Sequence, residues 1–264
     1  MKTRPRIGII GYGMVGAAVG AWFKDAAKYS PHQFPSGMTA VNKAEIVFLC
    51  TPSPYSAKTG YDLSAITTAA KKLTGRKIIV LKSTVLPGTT EKLQRRFPRH
   101  RWLFNPEFLQ DRTSRQDFFH PDRQIIGLAA NTDASRRAAK RVMRLLPSSP
   151  QALFMTSTEA ELVKLFANSF FATKVVFANM IYDAATRLGA DYEIIRDGIG
   201  HDPRIGTSVM RIWQDGFRGF SGKCLPKDMG ALIWWGRHHG PRLPFLETVD
   251  HINRRLLPKR QRHR

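Results

Sequence analysis

The hydrophobic positions of this 264-residue chain fall into two regimes. Up to about residue 150, short and nearly unbroken apolar runs alternate with stretches in which apolar residues recur every three or four positions. RIGII at 6–10, Glu45–Cys50, Lys77–Val85, Trp102–Phe104 and Arg123–Ala129 read as strands buried on both faces. Ala17–Lys24, the segment from Asp62-Leu63-Ser64 to about Leu73, the stretch after Pro87-Gly88-Thr89-Thr90, and Thr132–Leu146 read as helices. Strands alternating with helices predict an α/β fold, a Rossmann-like, doubly wound parallel sheet over residues 1–150. From residue 151 a helical pattern takes over. Thr158-Glu159-Ala160-Glu161 reads as a capping box that starts a helix running to Leu188, with Gly189 as its stop. Such a helix is roughly 45 Å long at 1.5 Å per residue. Asp191–Ile199 reads as a short helix and 202–206 as a loop. The expected organisation is therefore a sheet domain over 1–150, a helical domain with one long central helix over 151–257, and a basic tail over 258–264.

Composition narrows the class. A 42% hydrophobic content with 10% aromatic residues is that of a globular protein with a substantial core. The two cysteines lie far apart, and Cys50 closes the apolar run IVFLC, so no disulfide and a reducing compartment are expected. The N-terminus carries no apolar signal segment, and no uncharged apolar stretch reaches the roughly 18 residues of a membrane span. A cytoplasmic protein is expected. Net charge is +22, from 42 Lys+Arg against 20 Asp+Glu, which draws anionic ligands and polyanions. The basic residues are spread over 95–101, 136–141 and a tail at 254–264 that reads as disordered. The first two runs alternate with apolar residues or sit where solvated helix faces are expected, and the tail lacks aromatic interleaving and any nucleic-acid motif, so nucleic acid is not the expected partner.

Candidate chemistry begins at Gly11-x-Gly13-x-x-Gly16, between a strand and a helix. In a dinucleotide fingerprint the first glycine makes the turn, the second admits a pyrophosphate and the third lets helix pack on strand. The helix N-terminus then holds the phosphates. Tyr12, Met14 and Val15 lie within this turn and share the expected cofactor site. A second strand ending in an acid is the usual ribose contact. Here residues 28–44 present no such strand, so the second strand is expected to be shortened or degenerate, and no acid stands between Asp25 and Glu45, which leaves NAD and NADP both open. Thr51, Pro52, Ser83, Thr84 and Glu107 follow the carboxyl ends of predicted strands, where ligands of such sheets bind. A second cluster is GFRGFSGKCLPKD at 216–228. Gly216, Gly219 and Gly222 permit backbone shapes and close approach that side chains block. Cys224 follows them beside Lys223 and Lys227, a cationic setting that favours thiolate. Asp228 opens the apolar stretch MGALIWW and is expected to cap its helix. Lys164 and Asn168, four apart on the long helix, share one face among strongly apolar neighbours, so both are expected at a buried site.

In this order, GYGMVG, TPSP…DL, KSTVLPGTT, NPEFL, DRQIIG, EAELVKLFAN, DPRIG, GFSGKCLPKD and HINRR resemble the UDP-glucose/GDP-mannose (nucleotide-sugar) dehydrogenase family along nearly the whole chain. The resemblance implies oxidation of a sugar primary alcohol to a carboxylate, with two hydrides passing to NAD. It implies that Cys224 attacks the intermediate aldehyde to give a thiohemiacetal and then a thioester. Lys164 and Asn168 would stabilise the oxyanion, and Asp228 would position water or accept a proton. Glu107 would act as general base for thioester hydrolysis, with Thr84 near the nicotinamide. Phe108, Leu109, Lys164, Asn168, Gly219, Phe220 and Gly222 would bind the nucleotide sugar, and Arg204 would reach a substrate across a dimer interface. A homodimer through the helix 158–188 is expected, and no metal. The chain departs from the family at several points. It ends where a second Rossmann-like domain is expected, GFSGKC replaces GFGGSC, and Asp111-Arg112 stand where the family has a glycine after NPEFL. A catalytically silent dinucleotide-binding subunit acting with a full-length partner is the alternative reading.

Overall fold

The computed structural model describes residues 5–213 and 216–258. The predicted basic tail lies outside the described residues from 259 on. Arg254 and Arg255, read with that tail, belong to a helix instead. The chain forms two compact units, the first taking the chain to Pro54 and Tyr61–Lys164, the second Tyr55–Gly60 and the chain from Leu165.

The first unit contains β1 (Ile7–Ile10), α1 (Met14–Trp22), β2 (Ala27–Tyr29), α2 (Met38–Val41) and β3 (Ile46–Leu49). A two-stranded ribbon follows in sequence, β4 (Tyr55–Ser56) and β5 (Gly60–Tyr61), of which Tyr55–Gly60 counts with the second unit. Then come α3 (Ser64–Lys72), β6 (Ile78–Leu81), α4 (Thr89–Arg96), β7 (Arg101–Phe104), α5 (Ser114–Phe119), β8 (Arg123–Leu128), α6 (Asp133–Met143) and β9 (Gln151–Thr156). The sheet order is β2-β1-β3-β6-β7-β8-β9. Alternation along the strands fills both sides. Val47, Leu49, Ile79 and Leu81 pack on one face, and Ile46, Phe48 and Val80 on the other. With both faces covered, the central strands must be wholly apolar.

The second strand is the shortened one expected, β2, three residues paired in parallel with β1. Three points differ from the sequence reading. β7 and β8 pair antiparallel within the otherwise parallel sheet. Their connection carries only the six-residue α5, about 9 Å of helix, too short to return the chain across the sheet. β9, not anticipated, extends the sheet beyond the expected boundary at residue 150. Its side chains are mostly exposed, so it lacks the buried apolar signature of the inner strands. Helix α7 (Ser157–Arg187) begins one residue before the expected capping box, and the reciprocal cap sits two residues earlier than read. Glu159 accepts from the Thr156 amide (2.7 Å) and hydroxyl, while Thr156 Oγ1 accepts from the Glu159 amide. Thr158 instead donates to Glu91. Glu161 is buried and accepts from the amides of Gly88 (2.6 Å) and Thr90 (2.8 Å) and from the Thr90 hydroxyl. It thus caps α4 rather than its own helix, and burial pushes its carboxyl up to about 7.

The second unit holds most of α7, α8 (Tyr192–Gly200), α9 (Leu225–His238) and α10 (Pro244–Leu256). Gly189, at φ +64°, stops α7 as expected. Asp191 caps α8 through the Glu193 amide. Ala178, Ala185, Tyr192, Met210 and Ile212 form a core here. No helix among the described residues is long and apolar enough to cross a membrane.

Candidate active site

The glycine turn of the first unit has three distinct local requirements. Gly11 sits at φ +86°, and a side chain there would meet the Cys50 carbonyl oxygen at 2.6 Å and the Thr51 nitrogen at 2.8 Å. Gly16 is pressed against the Gly11 carbonyl oxygen, with no room for a Cβ. Gly13 has nothing within 4 Å of where its Cβ would be. Since φ at Gly13 is −77°, which any residue adopts, the open space beyond it is what an approaching pyrophosphate needs. Helix α1 starts at Met14, three residues earlier than read, with Gly13 as N-cap and no side chain capping it. Tyr12 and Val15 are half-buried beside it, and Tyr12 stacks edge-on to Phe34 at 4.9 Å.

The next loops are tied to one another. The Ser83 hydroxyl donates to the Thr51 carbonyl (2.5 Å), and the Ser53 hydroxyl to the Thr84 carbonyl (2.6 Å). Pro52 is exposed between them. Thr51 Oγ1 is buried with no hydrogen-bond partner among the described residues, which is costly unless a ligand satisfies it. Three glycines, a helix N-terminus and this hydroxyl fit a dinucleotide. Cys50 closes β3 as a packing thiol, and burial pushes it up to about 12.

Beyond β7, Glu107 is buried. Its carboxylate pairs with Lys164 Nζ at 2.8 Å and accepts from the Leu109 amide at 2.8 Å. The Lys164 ammonium also lies 5.6 Å from the centre of the Phe108 ring, whose other neighbour is the Arg123 guanidinium at 4.0 Å. Glu107, Phe108, Leu109 and Arg123 border a cavity of about 200 Å³ with Lys82 and Gln124 in its wall. Lys82, 3% exposed, was missed. Its ammonium donates to Asn105 Oδ1 (2.7 Å), and burial lowers it to about 8. A lysine directly after an aliphatic strand was the available signal.

In the second unit Cys224 is exposed and occupies the N-cap of α9. Asp228 is not the expected cap. It lies in the helix's first turn, 1% exposed, accepting from Asn168 Nδ2 at 2.6 Å and pairing with Lys227 at 2.7 Å. Lys227 is thus engaged with a carboxylate. Gly216, Gly219 and Gly222 all adopt φ near +80°. The Phe220 side chain is 1% exposed and belongs to the core, so only its backbone is placed to serve a ligand. That backbone is held by Asn253, which accepts from the Phe220 amide (2.7 Å) and donates to its carbonyl (2.9 Å). Asn253 was missed as a determinant, although a polar residue on the apolar face of α10 marks it. Arg204 is solvent-facing, its side chain 87% exposed and paired with Asp202 at 2.6 Å. A larger cavity of about 510 Å³ between α9 and α10 is lined by Tyr55, Trp234 and Arg237 and includes none of the predicted residues. Among the described residues no group of ligating side chains could hold a metal.

A doubly wound sheet with a glycine turn at its carboxyl edge, leading into an uncapped helix, defines a dinucleotide-binding protein. Residues 24–146 match the model of the UDP-glucose/GDP-mannose dehydrogenase family, NAD binding domain, and 158–255 match that family's central domain. The chain belongs to this family, and its cofactor is NAD. It is 32% identical over 227 residues to the UDP-glucose 6-dehydrogenase of Rhizobium meliloti, covering 81% of this chain and 51% of that protein. It is 35% identical over 226 residues to the Pseudomonas aeruginosa enzyme of the same name, covering 80% and 49%. A UDP-glucose dehydrogenase from the archaeon Pyrobaculum islandicum superposes with a TM-score of 0.81 at 29% identity, over 95% of this chain and 68% of that one. The chain spans about half the length of the curated relatives it matches.

Proposed function

We propose that the chain oxidises the primary alcohol of a nucleotide sugar to the carboxylate, in the manner of UDP-glucose to UDP-glucuronate. The observation that carries this reading is Cys224 at the N-cap of α9, four residues before a buried Asp228 that is bonded to Asn168. An exposed sulfur at a helix N-terminus stands where the helix dipole stabilises negative charge. NAD, when bound, supplies the two-electron acceptor for each of the two oxidations. The glycine turn, the α1 N-terminus and Thr51 hold it. Cys224 adds through sulfur to the aldehyde carbon to give a thiohemiacetal. In the second oxidation that carbon loses its hydrogen as hydride and the hydroxyl its proton, which gives the thioester. Water cleaves the thioester to carboxylate and free thiol. Lys164 and Asn168 stabilise the oxygen that becomes negative as the carbonyl is attacked. Glu107 takes the proton of the hydrolytic water, and its hydrogen bond from the Leu109 amide fixes the carboxylate for that task. Asp228 orients Asn168. The backbone of Gly219–Gly222, held by Asn253, receives the sugar. The two thiols fit a reducing, cytoplasmic setting.

Homodimerisation through α7 belongs to the same reading. Phe166, Phe170, Phe177 and Met180 are exposed, at spacings of four, seven and three that put them on one face of the helix. An exposed stripe of large apolar residues favours a partner surface. Arg204 is the residue assigned to the neighbouring subunit's substrate.

The test is NADH formation by the purified chain with UDP-glucose, GDP-mannose and UDP-N-acetylmannosamine in turn, beside Cys224→Ala. Turnover with one of them, lost in the variant, is expected. NADH binding without turnover of any substrate would reject the reading in favour of a silent subunit. Light scattering of wild type and Phe170→Glu checks the dimer.

A further inference from the structure

An ammonium is costly to take out of water, so a buried lysine that the proposed reaction leaves unused needs a reason to be there. Lys82 directly follows β6 and is 3% exposed. Burial lowers it to about 8, which leaves it charged at neutral pH. Its ammonium donates twice to Asn105, to the side-chain oxygen at 2.7 Å and to the backbone carbonyl at 3.3 Å. Asn105 is 1% exposed and is held from two further sides. Its amide donates to the Leu81 carbonyl at 2.9 Å, and its side-chain nitrogen to the Ile125 carbonyl of β8 at 2.7 Å. The carbonyl that Lys82 grips belongs to the peptide bond with Pro106, and Glu107 comes next.

A tie between strand ends does not need a charge. The neighbouring loops are joined by neutral hydroxyls, Ser83 to the Thr51 carbonyl and Ser53 to the Thr84 carbonyl. The charge on Lys82 faces ionisable groups instead. Glu107 after β7, Lys164 on α7 and the Cys50 thiol after β3 all act on it through space. From α5 the Phe118 ring stands 5.5 Å away. Lys82 and Glu107 border the same cavity, with Arg123 of β8. Asp117 of α5, also in that wall, accepts from the Gln110 amide and the Thr113 hydroxyl, and His120 and Asp122 in it are exposed. A charge-assisted bond to Asn105 is shorter and stronger than a neutral one, and it fixes the two-residue step from Asn105 to Glu107.

We propose that Lys82 is a positioning residue for thioester hydrolysis, holding through Asn105 the segment from which Glu107 reaches the attacking water. The inference rests on the proposed reaction and adds a residue to it. It is tested in a single turnover, with the full chain in excess over the nucleotide sugar that the wild type oxidises among UDP-glucose, GDP-mannose and UDP-N-acetylmannosamine. NADH absorbance follows the oxidations, and intact-mass spectrometry follows the thioester on Cys224. Lys82→Met is expected to form NADH at the wild-type rate and to lengthen the life of the thioester on the order of a hundredfold, the effect of a base displaced by about 1 Å. Lys82→Gln, which keeps a donor without the charge, is expected to lengthen it less, and carries the test where Lys82→Met does not fold. In the wild type, hydrolysis is expected to slow as pH rises through about 8, where Lys82 loses its proton. In Lys82→Met this pH dependence disappears. A variant, folded by its melting curve, whose thioester lives within about threefold of the wild-type time overturns the inference, as does one that slows NADH formation and hydrolysis equally. No turnover by the wild type strikes the proposed reaction and this inference together, whereas normal turnover in wild type and variant alike strikes this inference alone.

Discussion

The two glycine segments, 11–16 and 216–222, resemble each other in composition but hold their shapes for different reasons. In the first, only Gly11 has a left-handed backbone. Side chains are barred at 11 and 16 by backbone atoms of the turn itself and of the β3 end, and space is open at 13. In the second, all three glycines are left-handed, yet only Gly219 is crowded, its Cβ position lying 2.5 Å from Asn253 Oδ1. The first is therefore set by close packing on a sheet, with one opening for a ligand. The second is set by backbone conformation and one side-chain clamp 33 residues away in sequence. A turn shaped by packing tolerates no change of volume, while a loop shaped by torsions yields gradually.

The largest expected effect separates chemistry from shape. Cys224→Ser, exposed and outside the core, should lower turnover of the nucleotide sugar by roughly a thousandfold or more, with an unchanged melting temperature. Next, Gly16→Ala should cost about 3 kcal/mol by overpacking against backbone and abolish NADH binding. Gly13→Ala should melt as wild type and lose only NADH affinity, and a matching loss of stability would contradict the ligand assignment of that space.

Glu161 gives an effect of similar size that depends on pH. Its folded-state value near 7 lies above the ordinary 4.5, so the folded form holds the proton more tightly. The stability associated with this group is full below pH 4.5 and declines as pH rises towards 7. A shift of that size corresponds to about 3 kcal/mol. Urea unfolding of wild type against Glu161→Gln at pH 5 and 7.5 should show the slope in wild type alone. The smallest effect is Asn253→Ala, about 2 kcal/mol for two buried hydrogen bonds. It should loosen the second glycine loop, raising the KM for the nucleotide sugar while leaving NADH binding intact.

The inner strands were legible because burial on both faces leaves little choice but aliphatic residues, as in Ile46–Leu49. β9 was not, because an edge strand needs no such run. The capping box was misread by two residues because Thr156–Glu159 and Thr158–Glu161 satisfy the same pattern, and only Gly88 and Thr90, some seventy residues upstream, decide which glutamate stays local. Asp228 was misplaced for a similar reason. A carboxylate before an apolar helix fits a cap, and the amide of Asn168 draws it inward. Cys224, Lys164, Asn168 and Glu107 were expected at a site from their local patterns and the resemblance, whereas Lys82 and Asn253 act through partners that local patterns do not reveal.

β9 has a neighbouring strand on one side only among the described residues, and it presents Leu153 and Phe154 to solvent. Such an edge is a template for sheet-to-sheet association between copies. What opposes it is the chain's own charge of +22, which keeps molecules apart as a colloid does. That repulsion is screened within about 10 Å at 0.1 M salt, so added salt should turn a clear solution turbid, and Phe154→Lys should keep it clear.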